Sequence, residues 1–448
     1  MNEPNEAPTI GVLSLHVSKE SKAILNAAEQ LGFETAWLRR ENTAVTVTDG
    51  AVEIEPAADI IVNRLLLSSS TQPAEGLGLA RIFDSVRPML NQPSAVLTAM
   101  HKYAAAVTLA EAGVPVPDAV LALAEDRLNE GRSAFGEEAV YKTAIGTHGG
   151  GTWRVALDEP VNAQVGDRQA FLQAFVDQSD RQRDARVYIV GDEIIGSMYR
   201  HAPEGDWRTN VSLGGRVEDA TDQLPPEAAA IARNAATAVG LDCCGVDLID
   251  DGDSWYVLEI NPTAGFRGLF EATGISPAPA IVKLAAERLG KSVDDEQVQA
   301  LATNLDDSQP TCTPQVSQPD SDEQIVVGFV EEVVVNGTRD SQTVYAKSDT
   351  GATRTSIDMR LAADIGTGPI KDIVKIKSGS KKESKSRPVV DVVIGVGGTR
   401  HTVTASVEDR AHMDYPLLLG RDILEHYKVD VTRRADSDPE LAGIDVEE

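Results

Sequence analysis

The spacing of hydrophobic residues changes several times along the chain. In residues 1–95, apolar runs such as PTIGVLSLHV and ADIIVNRLLL predict buried strands, and KESKAILNAAEQLG between them predicts an amphipathic helix that ends at glycine. Strands that alternate with helices indicate an N-terminal α/β unit. No G-x-G-x-x-G follows the first strand, so we do not expect a dinucleotide site in this unit.

Residues 96–290 combine helical and hairpin patterns, which predicts an α+β domain. TAMHKYAAAVTLAEAG is typical of one helix that ends at Gly113, and AVYKTAIGTHGGGTWRV reads strand, glycine-rich loop, strand. ARVYIVGDEIIGSMYR and GVDLIDDGDSWYVLEINP each predict a β-hairpin. The two hairpins place charged residues within otherwise apolar strands.

The remaining sequence predicts three further regions. Residues 291–323 contain few large apolar residues and no periodicity, which indicates a flexible acidic linker. Residues 324–434 carry β-branched runs separated by glycines, so we expect a separate all-β domain. Residues 435–448 form an acidic tail.

The chain is strongly acidic, with 70 Asp and Glu against 41 Lys and Arg and a net charge of −29. This balance argues against a nucleic-acid or membrane-surface partner, since both bind basic surfaces. The N-terminus MNEPNEAP lacks the apolar segment of a signal peptide, and we expect a cytoplasmic protein. The acid is dispersed along the chain, which favours a halophilic source over an ordinary acidic cytosolic protein. The three cysteines have no disulfide or zinc-site spacing.

A pair of carboxylates marks the second hairpin as a candidate metal site. Strand alternation in WYVLEIN puts Val257, Glu259 and Asn261 on one face, and Asp247 interrupts the apolar run of the preceding strand. Carboxylates on an apolar hairpin are costly unless a cation lies between them, and oxygen ligands suit Mg²⁺. An odd-length turn would place Asp247 opposite Glu259 and an even one would offset them; an exposed hairpin with ordinary charges is the alternative.

The loop GTHGGG at residues 146–151 is a candidate phosphate site. Consecutive glycines let backbone N–H groups approach phosphate oxygens closely. Lys142 stands at the end of the strand before this loop, and Lys142 and Lys102 are the only lysines between residues 23 and 282. Two solvated surface lysines are the alternative interpretation.

Taken together, residues 8–290 resemble the ATP-grasp superfamily and more closely the RimK-type α-L-glutamate ligases. The resemblance is carried by the motifs HKYAAAVTLAEAGVPVPDAV, VYKTAIGTHGGGTWRV, LQAFV, DARVYIVGDEIIGSMYR, DWRTNVSLGG and GLDCCGVDLID…YVLEINPTAGFRG. It implies an ATP-grasp fold with ATP and Mg²⁺, or Mn²⁺, as cofactors. The implied ATP-binding residues are Lys102, Lys142, Gly149, Gly150, Gly151, Gln173, Ala174, Phe175, Val176, Arg208 and Asn210.

The same resemblance implies the chemistry. Asp247, Glu259 and Asn261 are the implied metal ligands, and Arg208 is the catalytic residue that faces the transferred phosphoryl group. A substrate carboxylate is converted to an acyl phosphate, which an amine then attacks. The amino acid is expected to be glutamate, and the carboxylate acceptor is a peptide C-terminus, a cofactor tail or a carrier protein. The chain departs from the family pattern at His101, where aspartate usually precedes the first lysine.

The stretch AKSDTGATRTS, with DYPLLLGRDILEHY downstream, resembles the retropepsin-like fold over residues 324–434. The family is labelled ATP-dependent zinc proteases, but the sequence has no His-Glu-x-x-His and no Cys/His cluster, and we interpret His401 and His412 as structural or exposed. Catalysis by Asp349 needs a second carboxylate, so it requires at least a homodimer through this domain. In the alternatives, the β-domain only docks the acceptor, or the chain is chiefly a peptidase with a regulatory ATP-binding half.

A basic segment stands out in this acidic chain. Residues 371–387 hold seven basic residues against two acidic ones. The segment is suited to an acidic peptide substrate, and equally to docking on the acidic ligase half.

Overall fold

The structure, a computed structural model, describes residues 7–16, 18–69, 72–132, 135–146, 151–156, 158–166, 168–178, 183–203, 207–209, 216–314, 325–337, 339–367, 370–377 and 384–436. The predicted site residues Gly149, Gly150 and Asn210 lie outside these ranges, as do the second part of the predicted linker and most of the acidic tail. The chain divides into two compact units, Met1–Val316 and Ser317–Glu448. No helix in the described ranges is long and apolar enough to cross a membrane.

The first unit begins with a parallel sheet of strand order β2-β1-β5-β6, followed along the chain by further strands and helices. Its strands are β1 (Thr9–Leu13), β2 (Glu34–Leu38), β3 (Ala44–Thr48), β4 (Ala51–Glu55), β5 (Ile60–Asn63), β6 (Met89–Leu90), β7 (Ala119–Leu121), β8 (Glu138–Thr143), β9 (Thr152–Ala156), β10 (Gln164–Val165), β11 (Arg168–Ala174), β12 (Arg183–Val190), β13 (Glu193–His201), β14 (Arg216–Asp219), β15 (Cys243–Asp250) and β16 (Trp255–Asn261). Its helices are α1 (Lys19–Gln30), α2 (Pro73–Val86), α3 (Pro93–Met100), α4 (Lys102–Glu111), α5 (Glu125–Gly131), α6 (Pro226–Val239), α7 (Arg267–Thr273), α8 (Ala278–Arg288) and α9 (Asp295–Ala302), with a 3₁₀ turn at Leu67–Ser69.

The parallel sheet confirms the α/β character of the N-terminal part. Helix α1 begins where the Ser18 side chain accepts a hydrogen bond from the Ser21 N–H, and it buries Ala23, Ile24 and Ala27 at helical spacing. Two antiparallel sheets follow, β10-β11-β8-β9 with β7 added on β11, and β14-β13-β12-β15-β16.

Both sides of the predicted boundary at residue 95 contribute to the same hydrophobic clusters. Leu13 and Phe83 of the N-terminal part belong to one cluster with Val246 and Ile260 of the third sheet, and all four side chains are buried. Burial of this shared apolar surface fixes the first parallel sheet against the third sheet.

Residues 93–111 form two helices, whereas the sequence predicted one. The break is at His101, whose backbone is extended and whose Nδ1 accepts a hydrogen bond from the Ala104 N–H at 3.1 Å. His101 is therefore the N-cap of α4, the capping role that an aspartate performs well. Because α3 ends before Lys102, the Lys102 N–H does not bond within that helix. This N–H donates instead to the Ala144 carbonyl at 2.8 Å.

The prediction of a flexible linker over residues 291–323 is wrong for residues 291–314. Helix α9 begins there with Asp294 as its N-cap. The buried Asn26 side chain donates to the carbonyls of Asp306 and Ser308, and Cys312 packs against a hydrophobic cluster of the first unit. Specific side-chain contacts thus compensate for the low hydrophobicity that suggested disorder.

The second unit is a barrel-like sheet, as the all-β prediction required. Its elements are β17 (Val326–Asn336), β18 (Ser341–Ser348), β19 (Ser356–Asp358), α10 (Met359–Ile365), β20 (Asp372–Lys377), β21 (Ser384–Val396), β22 (Thr399–Glu408), β23 (Leu417–Leu419), α11 (Arg421–Leu424) and β24 (Lys428–Arg434). The strand order is β20-β21-β22-β19-β23-β18-β17-β24, and a further pairing of β17 with β21 closes the ring. Val335, Ala346, Ile394 and Leu419 lie in its core.

Candidate active site

One face of the third sheet carries alternating charges across its strands. The register places Asp184 of β12 opposite Arg200 of β13, Arg186 of β12 opposite Asp247 of β15, and Asp247 opposite Glu259 of β16. Side chains two residues apart on a strand share a face, so Asp184 and Arg186 point the same way. The five side chains therefore form a continuous charged surface.

The hairpin of β15 and β16 contains a β-bulge, and one prediction made for this hairpin is therefore wrong. Asp247 lies directly opposite Glu259, but the next pair is Leu248 with Val257, so Leu258 is the extra residue of the bulge. Val257 is buried in the hydrophobic cluster, whereas Leu258 and Glu259 both line a cavity. The predicted shared face of Val257 and Glu259 is thus wrong, because strict alternation fails at the bulge.

The buried Asp247 carboxylate accepts two parallel hydrogen bonds from Arg186, each at 2.6 Å, and it forms an ion pair with Arg200, whose Nη2 lies 2.9 Å from Asp247 Oδ2. Burial alone would lower the pKa of Arg186, but the charge and hydrogen bonds of Asp247 overcome it and raise that pKa well above its ordinary value. Bidentate pairing of this kind fixes the orientation of both groups.

Glu259 has a different set of partners. Its Oε2 accepts a hydrogen bond from Lys102 Nζ at 2.6 Å, and its Oε1 accepts one from Asn261 Nδ2 at 3.0 Å. Burial favours the neutral acid, but the neighbouring Lys102 outweighs it and holds the pKa of Glu259 well below its usual range. Glu259 is therefore an anion at neutral pH.

Lys142 lies on β8 and points into the same cavity. Its Nζ donates to Gln173 Oε1 at 2.5 Å. Burial, reinforced by the positive charge of Lys102, lowers the pKa of Lys142 to about 8. Two ammonium groups in one buried cavity are poised for a polyanion.

A cavity of about 320 Å³ brings most of the predicted nucleotide residues together. The predicted residues that line it are Lys102, Lys142, Gln173, Ala174, Phe175, Val176, Arg208, Asp247 and Glu259. Gly151 closes the β8–β9 turn, where its carbonyl accepts from the Thr143 N–H at 2.9 Å. Gly151 has φ of +82°, and an added Cβ would lie 2.6 Å from Thr143 Oγ1, so only glycine fits there.

One end of this cavity is aromatic. The ring of Phe175 meets the ring of Trp207 edge to face at 6.1 Å, and the Arg154 guanidinium lies 4.3 Å from the centroid of Phe175. Aromatic faces of this type suit a planar base.

Sequence reasoning missed five residues of this site, namely Arg154, Asp184, Arg186, Arg200 and Trp207. A usable signal existed for two of them, because Asp184 and Arg186 interrupt the apolar strand DARVYIV as Asp247 interrupts its own. Their pairing across strands depends on register, which the hydrophobic pattern did not determine.

A second cavity of about 540 Å³ adjoins the first. Lys102, Arg200 and Glu259 line both cavities. Asn261 and the residues 262–265 line only the second one. The side chains of Arg64, Asn91 and Tyr188 donate to carbonyls of these residues, which holds this wall in place.

The donor set fits a hard divalent cation. Asp247 and Glu259 offer carboxylate oxygens from opposite strands, and Mg²⁺ in phosphoryl-transfer sites is bound by one or two carboxylates with substrate phosphates. Asn261 uses its amide N–H on Glu259, which leaves its Oδ1 as an acceptor. The described residues contain no group of three or more His, Cys, Asp and Glu side chains arranged for a metal.

In the second unit, Asp349 follows strand β18 in a tight turn. Its Oδ1 accepts hydrogen bonds from the Gly351 N–H at 2.9 Å and the Ala352 N–H at 3.2 Å, and its own N–H donates to the Leu419 carbonyl at 3.0 Å. These bonds hold the half-buried carboxylate at the end of β23.

The segment after Asp349 is fixed by Asp422. The Thr355 N–H and hydroxyl both donate to this carboxylate, at 2.9 and 2.7 Å, and the Gly420 N–H donates to Thr355 Oγ1 at 3.0 Å. His401 makes structural contacts, in line with its interpretation as a structural residue: its ring stacks on His426 with centroids 5.3 Å apart and is hydrogen-bonded to the Tyr427 hydroxyl.

Residues 99–285 match the model of the RimK-like ATP-grasp domain. The probable alpha-L-glutamate ligase of Stenotrophomonas maltophilia (strain R551-3) is 33% identical over 218 residues, which are 46% of this chain and 73% of that protein. The chain belongs to the RimK-like ATP-grasp family. It is therefore an ADP-forming ligase, as the sequence predicted.

One further relative and one solved structure are also similar to this chain. The tetrahydromethanopterin:alpha-L-glutamate ligase of Methanosarcina acetivorans is 28% identical over 308 residues, 59% of this chain and 94% of that protein. The ATP-grasp ligase PsnB, solved with a phosphomimetic variant of its minimal precursor, Mg and ADP, superposes with a TM-score of 0.50 at 17% identity, covering 63% of this chain and 99% of PsnB. The PsnB likeness confirms the ATP-grasp fold.

Residues 363–440 match the model of the retropepsin-like aspartic endopeptidase RimB. This match confirms the predicted retropepsin-like domain. The matched residues begin after Asp349, so the Asp-Thr-Gly loop is not among them.

Proposed function

We propose that the first unit is an α-L-glutamate ligase that joins the amino group of glutamate to an acceptor carboxylate, with ATP converted to ADP and phosphate. The observation that carries this proposal is the placement of Asp247 opposite Glu259, with Lys102 and Lys142 directed into the same cavity. Opposed carboxylates beside two ammonium groups suit a metal–nucleotide complex.

Each residue that lines the nucleotide cavity has a proposed role that follows from its position. Lys102 and Lys142 neutralise the phosphates, and the hinge, formed by residues 173–176 and including Phe175, receives the base. Arg208 faces the phosphoryl group as it moves to the acceptor carboxylate. Catalysis of this kind rests on positioning and charge neutralisation, so no nucleophilic side chain is needed. The two buried cysteines agree with this, since burial raises the pKa of the Cys243 thiol to about 12.

Asp247, Glu259 and Asn261 would hold Mg²⁺, which supplies charge neutralisation of the phosphate oxygens when bound. Both carboxylates already carry cationic partners. The site combines four acidic side chains with six basic ones, namely Asp177, Asp184, Asp247 and Glu259 with Lys102, Lys142, Arg154, Arg186, Arg200 and Arg208. That excess of positive charge favours a metal that arrives with the nucleotide phosphates rather than alone.

The second cavity is the proposed site of the acceptor and glutamate. It shares Lys102, Arg200 and Glu259 with the nucleotide cavity, so a carboxylate there is close to the transferred phosphoryl group. A peptide C-terminus, a cofactor tail and a carrier protein remain the candidate acceptors. The name of the Methanosarcina relative, with tetrahydromethanopterin as acceptor, supports the cofactor tail.

Release of ADP from the full chain with each of the twenty amino acids, in the presence of each acceptor class, tests the ligase proposal. We expect glutamate to stimulate ADP release above all other amino acids, and Asp247→Asn to abolish the stimulation. ADP release that no amino acid stimulates would refute the assignment. Mass spectrometry of the acceptor then identifies the added residue.

We propose that the second unit is an aspartic peptidase half-site that trims the product of the ligase. Two copies of Asp349 share one proton in such a site, so the chain acts at least as a homodimer. The turn that holds the Asp349 carboxylate beside Leu419 supports this proposal over an acceptor-docking domain, since docking needs no oriented carboxylate. The basic segment at residues 371–387 suits an acidic product.

A further inference from the structure

The segment Trp207–Thr209 is fixed at both ends by side chains of other elements. The Trp207 ring contacts Phe175 of the hinge edge to face, and the Thr209 hydroxyl donates a hydrogen bond of 2.6 Å to Asp184 Oδ2 on β12. Arg208 lies between these two anchors and lines the nucleotide cavity. The backbone position of Arg208 is therefore held by a contact on each side.

Asp184 also belongs to the charged face of the sheet. Its carboxylate accepts two hydrogen bonds from Arg200, from Nε at 2.7 Å and from Nη2 at 2.5 Å, and the same Nη2 reaches Asp247 at 2.9 Å. Asp184 and Arg200 are each only 5% exposed. One buried network thus joins Thr209, Asp184, Arg200 and Asp247.

We propose that Thr209 and Asp184 are positioning residues that couple the segment carrying Arg208 to the metal-binding strand. This inference rests on the proposed ligase function, since it assigns Arg208 to the transferred phosphoryl group. The Thr209 hydroxyl ties residues 207–209 to strand β12. Asp184 holds Arg200 beside Asp247, one of the proposed metal ligands. Both residues line the nucleotide cavity, and the role assigned to them is to position Arg208 and Arg200 rather than to act on the reacting atoms.

A substitution at Thr209 can distinguish this positioning role from a role in packing. A threonine hydroxyl replaced by a methyl group keeps its shape but leaves the buried Asp184 oxygen without this donor. Asp184 keeps both bonds from Arg200, so the sheet itself stays in register. Loss of the Thr209 bond should therefore affect the position of Arg208 more than the binding of nucleotide.

The kinetic test compares Thr209→Val with Thr209→Ser. We expect Thr209→Val to lower kcat for glutamate-dependent ADP release by about 10- to 100-fold, with the Kd of Mg·ADP changed less than about twofold, and Thr209→Ser to restore most of kcat. Thr303→Val is the matched control, because the exposed Thr303 hydroxyl donates to the exposed Ala300 carbonyl, away from the proposed site. An unchanged kcat in Thr209→Val, or an equal loss in Thr209→Ser, would overturn the proposal.

A second readout is independent of turnover. Amide hydrogen exchange in peptides that contain residues 207–209 should be faster in Thr209→Val than in wild type, and unchanged in Thr209→Ser and Thr303→Val. Equal exchange in all four proteins would contradict the anchor. If the wild-type chain shows no glutamate-dependent ADP release, the ligase proposal fails, and this measurement still decides whether Thr209 holds the segment.

Discussion

Lys102 Nζ lies 2.6 Å from Glu259 Oε2, so a residue expected to bind phosphate is paired with one expected to bind metal. Lys102 is the first residue of α4, and Glu259 follows the bulge of β16. The break at His101 and the bulge at Leu258 are the two irregularities that bring them together. Both are local departures from regular structure at a functional site.

The Lys102–Glu259 pair should be energetically coupled. Lys102→Met leaves the partly buried Glu259 carboxylate without its cation, and Glu259→Gln leaves the ammonium without its anion. We expect each change to lower the free energy of unfolding by about 1–3 kcal/mol, and the double variant to lose less than their sum. Denaturant unfolding of the full chain measures the coupling.

The control for this cycle is Lys283→Met, whose ammonium pairs with the exposed Asp295 carboxylate. It should change stability by less than about 0.5 kcal/mol. Lys102→Met should also reduce ADP formation by about 100-fold or more, whereas Lys283→Met should not. Strictly additive losses in the cycle would show that the two side chains do not stabilise each other.

The pKa of Lys142 makes nucleotide affinity dependent on pH. Burial and the nearby Lys102 lower that pKa to about 8, and phosphates beside the ammonium would raise it again. Nucleotide binding should therefore take up a proton, so the affinity is greatest below pH 8 and falls by up to about tenfold per pH unit above it. Calorimetric titration of Mg·ADP between pH 7.5 and 9.5, in buffers of different ionisation enthalpy, measures both effects.

Two substitutions check that Lys142 is the group responsible. In Lys142→Arg the side chain stays charged throughout this range, so the affinity should no longer fall with pH. In Lys142→Met the affinity should be lower at every pH and independent of it. A fall that persists in Lys142→Met would assign the titration to another group.

The hydrophobic pattern of the sequence predicted more of the fold than of the geometry of the site. Asp247 and Glu259 stood out because a carboxylate on an apolar strand demands a partner, and that argument uses residue type alone. Asp247 lies directly opposite Glu259 because of the bulge at Leu258. Hydrophobic periodicity does not reveal this bulge, since the types of residue in the strand are the same with or without it. The same limit concealed the pairing of Arg186 with Asp247.

Two further differences have a common cause. His101 was considered a departure from the family pattern, but its ring nitrogen caps α4 as a carboxylate would. Residues 291–314 looked disordered because large apolar side chains are scarce, but Asn26 holds them through hydrogen bonds to backbone carbonyls. In both cases a polar contact that composition does not show decides the structure: a local cap at His101 and long-range hydrogen bonds from Asn26.

Asp349→Asn should separate the two proposed activities. An asparagine Oδ1 can accept the same N–H bonds from Gly351 and Ala352, so the turn should keep its shape. We expect hydrolysis of an oligoglutamate peptide to fall below detection, because an amide cannot share the catalytic proton, while glutamate-dependent ADP release stays unchanged. Chromatography of the peptide products and a coupled ADP assay measure the two activities.

Asp364→Asn is the matched control for this variant. Asp364 is exposed on α10 in the same unit, so the change removes one charge from the domain and should leave hydrolysis intact. If Asp349→Asn hydrolyses the peptide at the wild-type rate, the peptidase proposal is wrong. The β-domain would then be better explained as an acceptor-docking module.

The homodimer required by Asp349 makes hydrolysis depend on both subunits. When wild-type chain is unfolded and refolded with an equal amount of Asp349→Asn chain, random pairing leaves roughly one quarter of the dimers with two aspartates. Specific hydrolytic activity per wild-type chain should therefore fall to roughly half, whereas mixing with Asp364→Asn chain should cause no loss. Ligase activity, which uses one chain's own cavity, should be unaffected in both mixtures. Hydrolysis that stays proportional to the wild-type chain in the first mixture would mean that each Asp349 acts without a partner copy, which contradicts the shared-proton site.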